Sequence, residues 1–203
     1  TPKLFGVFNS SQSNTDKISN EESTDYKYSL LNFESLSRYT GTDKLENSKR
    51  LSYGIEATKD KFKLELGQSY EFDKNRNDYT KNVGLKDYMS DLFGTGSYTG
   101  DKNTILYNFR FNGDQGLLKS QTLGYTNESK IGGINLTYSQ SRKSVNSILE
   151  LDSENISASY ASSKFLKYSS IGFSTQIDLI KDDPNYYKMG YTYFDECFGV
   201  NID

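Results

Sequence analysis

Strict alternation of apolar and polar residues is the feature that most constrains what this chain can fold into. In one stretch Phe62, Leu64 and Leu66 alternate with Lys63 and Glu65. The same period of two recurs at 51–57, 105–111, 134–138, 156–160, 171–179 and 187–193. It is the period of a β-strand, whose successive side chains point to opposite faces, and not the 3.6 of a helix. The pattern predicts about ten to twelve strands in an all-β antiparallel meander.

Polar stretches with turn chemistry separate these runs. Residues 73–78, 112–116, 127–130 and 181–185 are rich in Asp, Asn, Gly and Lys, which favour turns. No amphipathic helix or interdomain linker is visible, and no run approaches the roughly 20 apolar residues of a membrane helix. We therefore expect one domain over residues 1–203.

The composition excludes most familiar enzyme chemistry. The chain has no His, which excludes Ser-His-Asp and Cys-His catalysis and His-containing metal sites. One Cys is too few for a thiolate zinc or iron–sulfur cage. With 24 basic and 27 acidic residues the net charge is −3, so no polybasic signature points to nucleic acid. We expect no enzyme activity, no cofactor, no metal and no nucleic-acid partner.

Two architectures fit such alternation: a soluble sandwich, and a transmembrane barrel with lipid on its apolar face and a polar lumen. Mean hydropathy is −0.75, yet the chain carries 17 Tyr and 12 Phe. The apolar stripes match the roughly 9–11 residues that cross a bilayer at a tilt, and Tyr and Phe cluster near their ends, as in an interfacial girdle. These features favour the barrel, and the soluble alternative stays open.

Three motifs give a more specific signal. The first comprises NFESLSRYTGTDKLE at 32–46 and RLSYG at 50–54; the second is GQSY at 67–70, and the third is GYTYFDEC at 190–197. In this order and spacing they resemble the barrel of LptD, the outer-membrane lipopolysaccharide-assembly family of Gram-negative bacteria. Ser37 and Lys44 replace the family's usual Asn and Arg.

The resemblance implies a transport machine in the cell outer membrane. Such barrels are partly filled by an LptE-like lipoprotein, receive lipopolysaccharide from an LptA-like periplasmic bridge through an N-terminal jelly roll, and insert it into the outer leaflet among outer-membrane lipids. On this interpretation residues 1–203 are part of the barrel, without the jelly roll and the terminal strands. The start at Thr1, with no signal peptide and no initiator Met, also predicts a piece of a longer protein. The alternatives are a porin or uptake channel and a secreted β-rich surface adhesin.

Cys197 is the chain's single cysteine. From the residue alone it is either a small half-buried hydrophobe or, in an exported chain, a thiol whose partner lies elsewhere. The resemblance implies a disulfide to the periplasmic domain, which this chain lacks. The nearby Asp195 and Glu196 are neighbours in sequence, so in a strand they point to opposite faces and cannot act as a catalytic pair.

A mixed-charge group lies within the first motif. It consists of Arg38, Asp43, Lys44, Glu46 and Arg50. One interpretation is a solvated loop. The other is a polar network in the lumen or in a loop that orders the barrel interior or meets LptE, with its basic members able to contact lipopolysaccharide phosphates.

Overall fold

The computed structural model describes residues 1–9, 34–37, 48–73, 85–86, 88–113, 115–145, 148–162, 166, 168–195 and 198–202. Within these ranges the regular structure is entirely β. Its strands are β1 (Pro2–Phe8), β2 (Lys49–Lys59), β3 (Phe62–Glu71), β4 (Leu85–Lys86), β5 (Met89–Ser90), β6 (Leu92–Thr99), β7 (Asn103–Asn112), β8 (Leu117–Ser129), β9 (Gly132–Val145), β10 (Ile148–Ser162), β11 (Ser169–Asp178), β12 (Asp183–Phe194) and β13 (Gly199–Ile202).

The strands form one sheet in the order β1-β2-β3-β6-β7-β8-β9-β10-β11-β12-β13, with the short β4 and β5 off this path. Neighbours pair antiparallel, for example β1 with β2 and β9 with β10. The prediction of an all-β antiparallel meander is therefore confirmed. Two predicted turns are shorter than expected, because β8 runs to Ser129 and β12 already begins at Asp183.

The chain divides into two compact units. The first unit comprises residues 1–58, 63–95 and 110–118, and the second comprises 59–62, 96–109 and 119–203. In each unit the sheet has two chemically distinct surfaces, which we call the apolar face and the polar face.

In the first unit the burial pattern is the reverse of that of a soluble core. Leu4 pairs with Tyr53 on the apolar face, where Leu4 is 73% exposed. On the polar face Arg50 and Ser52 are fully buried at 0%. Soluble domains normally bury their apolar side chains and expose their charges. Among the described residues the buried apolar side chains are Val7, Phe93 and Leu149, so the apolar surface is mostly outside.

In the second unit the strand register assembles a continuous apolar face. Tyr138 pairs with Ile156, Leu136 with Ala158, and Ile134 with Tyr160. The row continues from Tyr160 to Phe173 and on to Met189. We call this surface the apolar belt. Leu136, Ile156 and Phe173 are 44%, 43% and 46% exposed, so the belt is open to the surroundings.

The polar face of the second unit carries mainly small side chains. Thr137 pairs with Ser157, Ser139 with Asn155, and Asn135 with Ser159. Small hydroxyls and amides alternate with the belt residues because side chains in a strand point to opposite faces.

Two motif glycines mark a close approach of β2 and β3. A Cβ on Gly54 would lie 2.4 Å from the Leu66 carbonyl oxygen and 3.3 Å from the Cα of Gly67. Only glycine fits such an approach without a shift of the neighbouring backbone. The glycine of RLSYG is therefore explained by strand packing.

None of the described residues belongs to a helix long and apolar enough to cross a membrane.

Candidate functional site

The polar face of the first unit holds a buried charge network centred on Arg50. Its Nη1 donates to the Ser48 Oγ at 3.1 Å, and its Nη2 donates to the Ser35 carbonyl. The Ser48 hydroxyl lies 3.2 and 3.1 Å from the two carboxylate oxygens of Glu71. Ser48 thus connects a guanidinium on β2 with a carboxylate on β3, and such partners offset the cost of burying charge.

A second buried pair lies on β7 and just before β6. Arg110 Nη2 is 2.9 Å from Asp91 Oδ2, and Asn112 donates to Asp91 Oδ1 at 3.2 Å. The side chains of Arg110 and Asp91 are only 15% and 6% exposed. Because both oxygens of Asp91 are engaged, this carboxylate is fixed relative to two positions of β7.

Small hydroxyls fill the space on this face. The Oγ atoms of Ser52 and Ser69 are 2.6 Å apart, and the Ser69 backbone N–H donates to the Ser90 Oγ at 2.8 Å. All three serines are buried, and their hydroxyls are paired, as buried polar groups are in stable proteins.

A third cluster joins β1, β2 and β3. Lys3 Nζ lies 2.8 Å from Glu56 Oε2 and 3.3 Å from Glu65 Oε1, and Lys63 Nζ lies 3.3 Å from the same Glu65 oxygen. Glu34 approaches Lys3 at 4.0 Å. The cluster is partly exposed, so each pair contributes little to stability alone, but together they order charges of both signs.

Part of the connection between β1 and β2 lies against this face. Ser35 accepts a hydrogen bond from Arg50, and Glu34 reaches the Lys3 cluster. Both residues belong to the first motif, so the motif contacts the charged surface as well as supplying Arg50.

Of the predicted polar network the structure describes Arg50 alone. It lies in a strand, fully buried, and not in a solvated loop. The positions that fall outside the described residues are Arg38, Asp43, Lys44, Glu46, Glu196 and Cys197. Whether these residues join Arg50, and what Cys197 pairs with, stay predictions.

Sequence reasoning missed most members of the buried networks. They are Glu71, Asp91 and Arg110, with Lys3, Glu56 and Glu65 in the third cluster. One signal could have identified most of them. Glu65 and Glu71, like Arg50 and Arg110, occupy the polar phase of an alternating run, and a charge at such a position belongs to the polar face.

Aromatic side chains cluster at strand ends on the apolar faces. In the first unit Phe8 stacks on Phe72 at 5.8 Å, and Tyr70 contacts Phe72 at 5.6 Å between ring centroids. In the second unit Phe62 and Tyr98 are 4.8 Å apart. Girdles of this kind flank the apolar band of membrane barrels.

An exposed ion pair links two turns of the second unit. Lys61 Nζ is 2.6 Å from Asp101 Oδ1, joining the β2–β3 turn to the β6–β7 turn. The hydrogen bond to Lys61 holds the pKa of Asp101 below its ordinary value, and the same bond to Asp101 raises the pKa of Lys61. Both side chains lie in solvent-exposed turns, so this link is weak.

Asp195 forms the turn after β12. Its Oδ2 accepts from the Tyr193 hydroxyl at 2.8 Å, and its Oδ1 accepts from the Phe198 backbone N–H at 2.8 Å. It therefore acts as a turn residue. Within the described ranges, no three His, Cys, Asp or Glu residues are grouped so that they could hold a metal ion.

Together these surfaces suit an amphiphile better than a reacting substrate. One side of each unit is apolar and open, and the other carries charges and hydroxyls held by hydrogen bonds. In comparisons with known proteins, the model of the family described as "LptD: LPS transport system D" matches residues 1–182 of the 203. A search of curated proteins found no match.

Proposed function

Because this chain belongs to the LptD family, which gives it a role in lipopolysaccharide transport and assembly at the outer membrane, we propose that it is part of a barrel that inserts lipopolysaccharide into the outer leaflet. The observation that carries this proposal is the reversed burial. Arg50 is fully buried on the polar face while Leu4 and Leu136 are exposed on apolar faces. A sheet of this kind is stable with lipid on one side and a polar interior on the other.

The two faces match the two halves of the transported molecule. Lipopolysaccharide has acyl chains, which are stable in the bilayer, and an anionic saccharide portion, which needs a polar path. The polar face offers hydroxyls such as Ser157 and cations such as Lys3 beside carboxylates. Transport along such a surface requires no covalent step, and we propose none.

We further propose partners for the polar face and for the periplasmic end. An LptE-like lipoprotein would occupy the polar interior, where Arg50 and the predicted Arg38, Asp43, Lys44 and Glu46 would order the surface it meets. An LptA-like bridge would deliver lipopolysaccharide through the jelly-roll domain of the longer protein, of which residues 1–203 would supply barrel strands. The support is the motif resemblance together with the contacts of Ser35 and Glu34 with the polar face.

Strand direction supports a periplasmic position for Cys197. In the second unit β8 to β13 pair antiparallel in chain order, so the β8–β9 and β12–β13 connections lie at the same end. Three neighbouring connections at this end, 60–61, 100–102 and 130–131, are short and lie side by side through the Thr99–Lys61 and Glu128–Lys102 backbone hydrogen bonds, and short turns are periplasmic in bacterial barrels. The periplasm is oxidising, so we propose that Cys197 forms a disulfide with the periplasmic domain.

The disulfide has a direct test in the full-length protein expressed in its host. On a non-reducing gel the Cys197→Ser variant should migrate differently from the wild type, and reduction should abolish the difference. Identical mobility of the two proteins before reduction would exclude the disulfide.

Depletion of the protein in its host tests the transport function. Newly made lipopolysaccharide should become inaccessible to an outer-leaflet modification such as surface labelling, and expression of the wild-type gene should restore the labelling. If depletion changes only the uptake of small solutes, the protein is a porin-like channel and the proposal is wrong.

A further inference from the structure

A hydrogen-bonded row of polar side chains crosses the apolar face of the second unit from β7 to β10. The Tyr107 hydroxyl donates to Gln121 at 3.0 Å, and Gln121 Nε2 donates to Gln140 Oε1 at 3.0 Å. Gln140 Nε2 lies 3.5 Å from Glu154 Oε1, which also accepts from the Tyr138 hydroxyl at 2.6 Å. All five side chains are half-buried. We call this set the polar row.

The polar row ends the apolar belt. Gln121 pairs with Gln140, and the next pair on the same face is the exposed Leu123 with Tyr138, a belt residue whose hydroxyl reaches back to the row. Hydrogen-bonding side chains are unfavourable in the hydrocarbon core of a bilayer and are stable at the level of the headgroups. The row therefore marks the depth at which the lipid-facing surface meets the headgroups.

Two cations lie one position beyond the row on the same face. Arg142 Nη1 donates to Gln140 Oε1 at 3.3 Å. Ser120 pairs with Ser141, so continuing the register by one residue places Lys119 opposite Arg142. Alternation puts both on the face of Gln121 and Gln140.

An apolar residue lies beside the two cations. Leu151 pairs with Arg142 and is 41% exposed. Long basic side chains beside apolar surface at a membrane boundary reach toward the headgroups.

We propose that Arg142 and Lys119 bind a phosphate group of lipopolysaccharide that is seated against the apolar belt with its acyl chains. A guanidinium matches phosphate with two parallel hydrogen bonds, and a nearby ammonium adds a compact positive charge. The belt residues Leu136 and Ile156 supply the surface for the acyl chains.

The choice of lipid rests on the proposed function. The cations lie at the end of the strands opposite to the β8–β9 turn, which the proposed orientation places in the periplasm. That end then faces the outer leaflet, where the phosphates belong to lipopolysaccharide. The recognition chemistry itself, a phosphate bound by two cations, depends only on the contacts of the second unit.

The test uses the full-length protein, purified from its host and reconstituted in phosphatidylcholine nanodiscs doped with either lipopolysaccharide or phosphatidylglycerol. The measurement is the enrichment of the doped lipid around the protein by native mass spectrometry. Two cations near a membrane surface give roughly 30-fold in binding to anionic lipid, so the double variant K119Q/R142Q should lose enrichment of lipopolysaccharide by about this factor.

Lys143→Gln is the matched control. Lys143 follows Arg142 directly, points to the opposite face and lies 2.7 Å from Asp152, so Lys143→Gln deletes one positive charge, as each half of the double variant does, without touching the proposed site. It should enrich lipopolysaccharide as the wild type does. If the double variant does not fold, the wild type gives a second readout, because higher salt should reduce enrichment of the doped lipid.

Three results would overturn the inference. They are unchanged enrichment in a folded double variant, an equal loss in Lys143→Gln, and enrichment in the wild type that does not respond to salt. Enrichment of phosphatidylglycerol without lipopolysaccharide would overturn the choice of lipid. A failure of the transport function appears separately, in the depletion experiment, where lipopolysaccharide would still reach the surface.

Discussion

The polar faces of the two units differ in what fills them, although the same alternation produces both. In the first unit the face holds large charged groups at very low exposure, including Arg50, Glu71 and Asp91. In the second unit the corresponding positions are small and half-buried, such as Thr137 and Ser157. A period of two therefore assigns residues to faces. The size and charge of the polar residues then decide whether a face is an ion-paired surface or a surface of small hydroxyl and amide groups.

The difference predicts where substitutions on a polar face are costly. Arg110→Met should destabilise the protein by about 3–5 kcal/mol, because it leaves the buried Asp91 carboxylate without its cation. Ser157→Ala, on the polar face of the second unit, should stay within about 0.5 kcal/mol of the wild type. Urea unfolding of the protein in lipid vesicles measures both, and similar values for the two variants would remove the distinction between the faces.

A charge placed on the apolar face of the second unit, compared with the same charge on its polar face, gives the next largest effect. Leu136→Arg places a cation in the apolar belt and should cost about 2–4 kcal/mol if this belt lies near the bilayer midplane. Thr137→Arg, one residue along β9, points to the polar face and should be much better tolerated. The same unfolding experiment compares them, and an equal cost would mean that lipid does not cover the belt.

The approach of β2 to β3 predicts a smaller and local effect. Gly54→Ala would bring a Cβ to 2.4 Å from the Leu66 carbonyl oxygen, and overpacking of this kind costs about 1–3 kcal/mol. Gly172→Ala is the control, because its Cβ would meet the Tyr160 carbonyl oxygen at an ordinary 3.8 Å. Unfolding midpoints in urea should separate the two variants; a stable Gly54→Ala protein would show that the strands are less close.

Much of the fold could be predicted from the sequence because a strand records its two faces in every second residue. The alternating runs at 62–72 and 105–111 correspond to β3 and β7. The predicted turn at 127–130 begins too early, because Asn127 and Glu128, despite their turn chemistry, remain paired in β8 with Ile134 and Gly133. At these two positions the pairing of β8 with β9 overrides the turn preference of the residues.

The site was harder to predict, because a buried ion pair joins residues that are distant in sequence. Arg110 and Asp91 are 19 residues apart, and Ser48 and Glu71 are 23 apart. The alternation in the sequence predicts that most of these residues lie on the polar face, whereas their partners depend on the order and register of the strands. The motif identifies Arg50 as a candidate, yet its link to Glu71 through Ser48 follows only from the pairing of β2 with β3.

The smallest expected effect concerns the exposed charges of the second unit, in contrast to the buried ones of the first. Because the pKa of Asp101 is lowered by Lys61, this link is fully present above the ordinary carboxyl pKa and is lost as pH falls through the lowered one. Because the pKa of Lys61 is raised, the link is also lost as pH rises through that higher value.

Asp101→Asn should therefore weaken the protection of the β2–β3 and β6–β7 turns in amide exchange slightly at neutral pH. It should have no effect at a pH below the lowered pKa of Asp101, where the wild-type carboxyl is already protonated. Arg110→Met, by comparison, should destabilise the protein at neutral pH far more than Asp101→Asn. If Asp101→Asn matched it, exposure would not be what separates the charges of the two units.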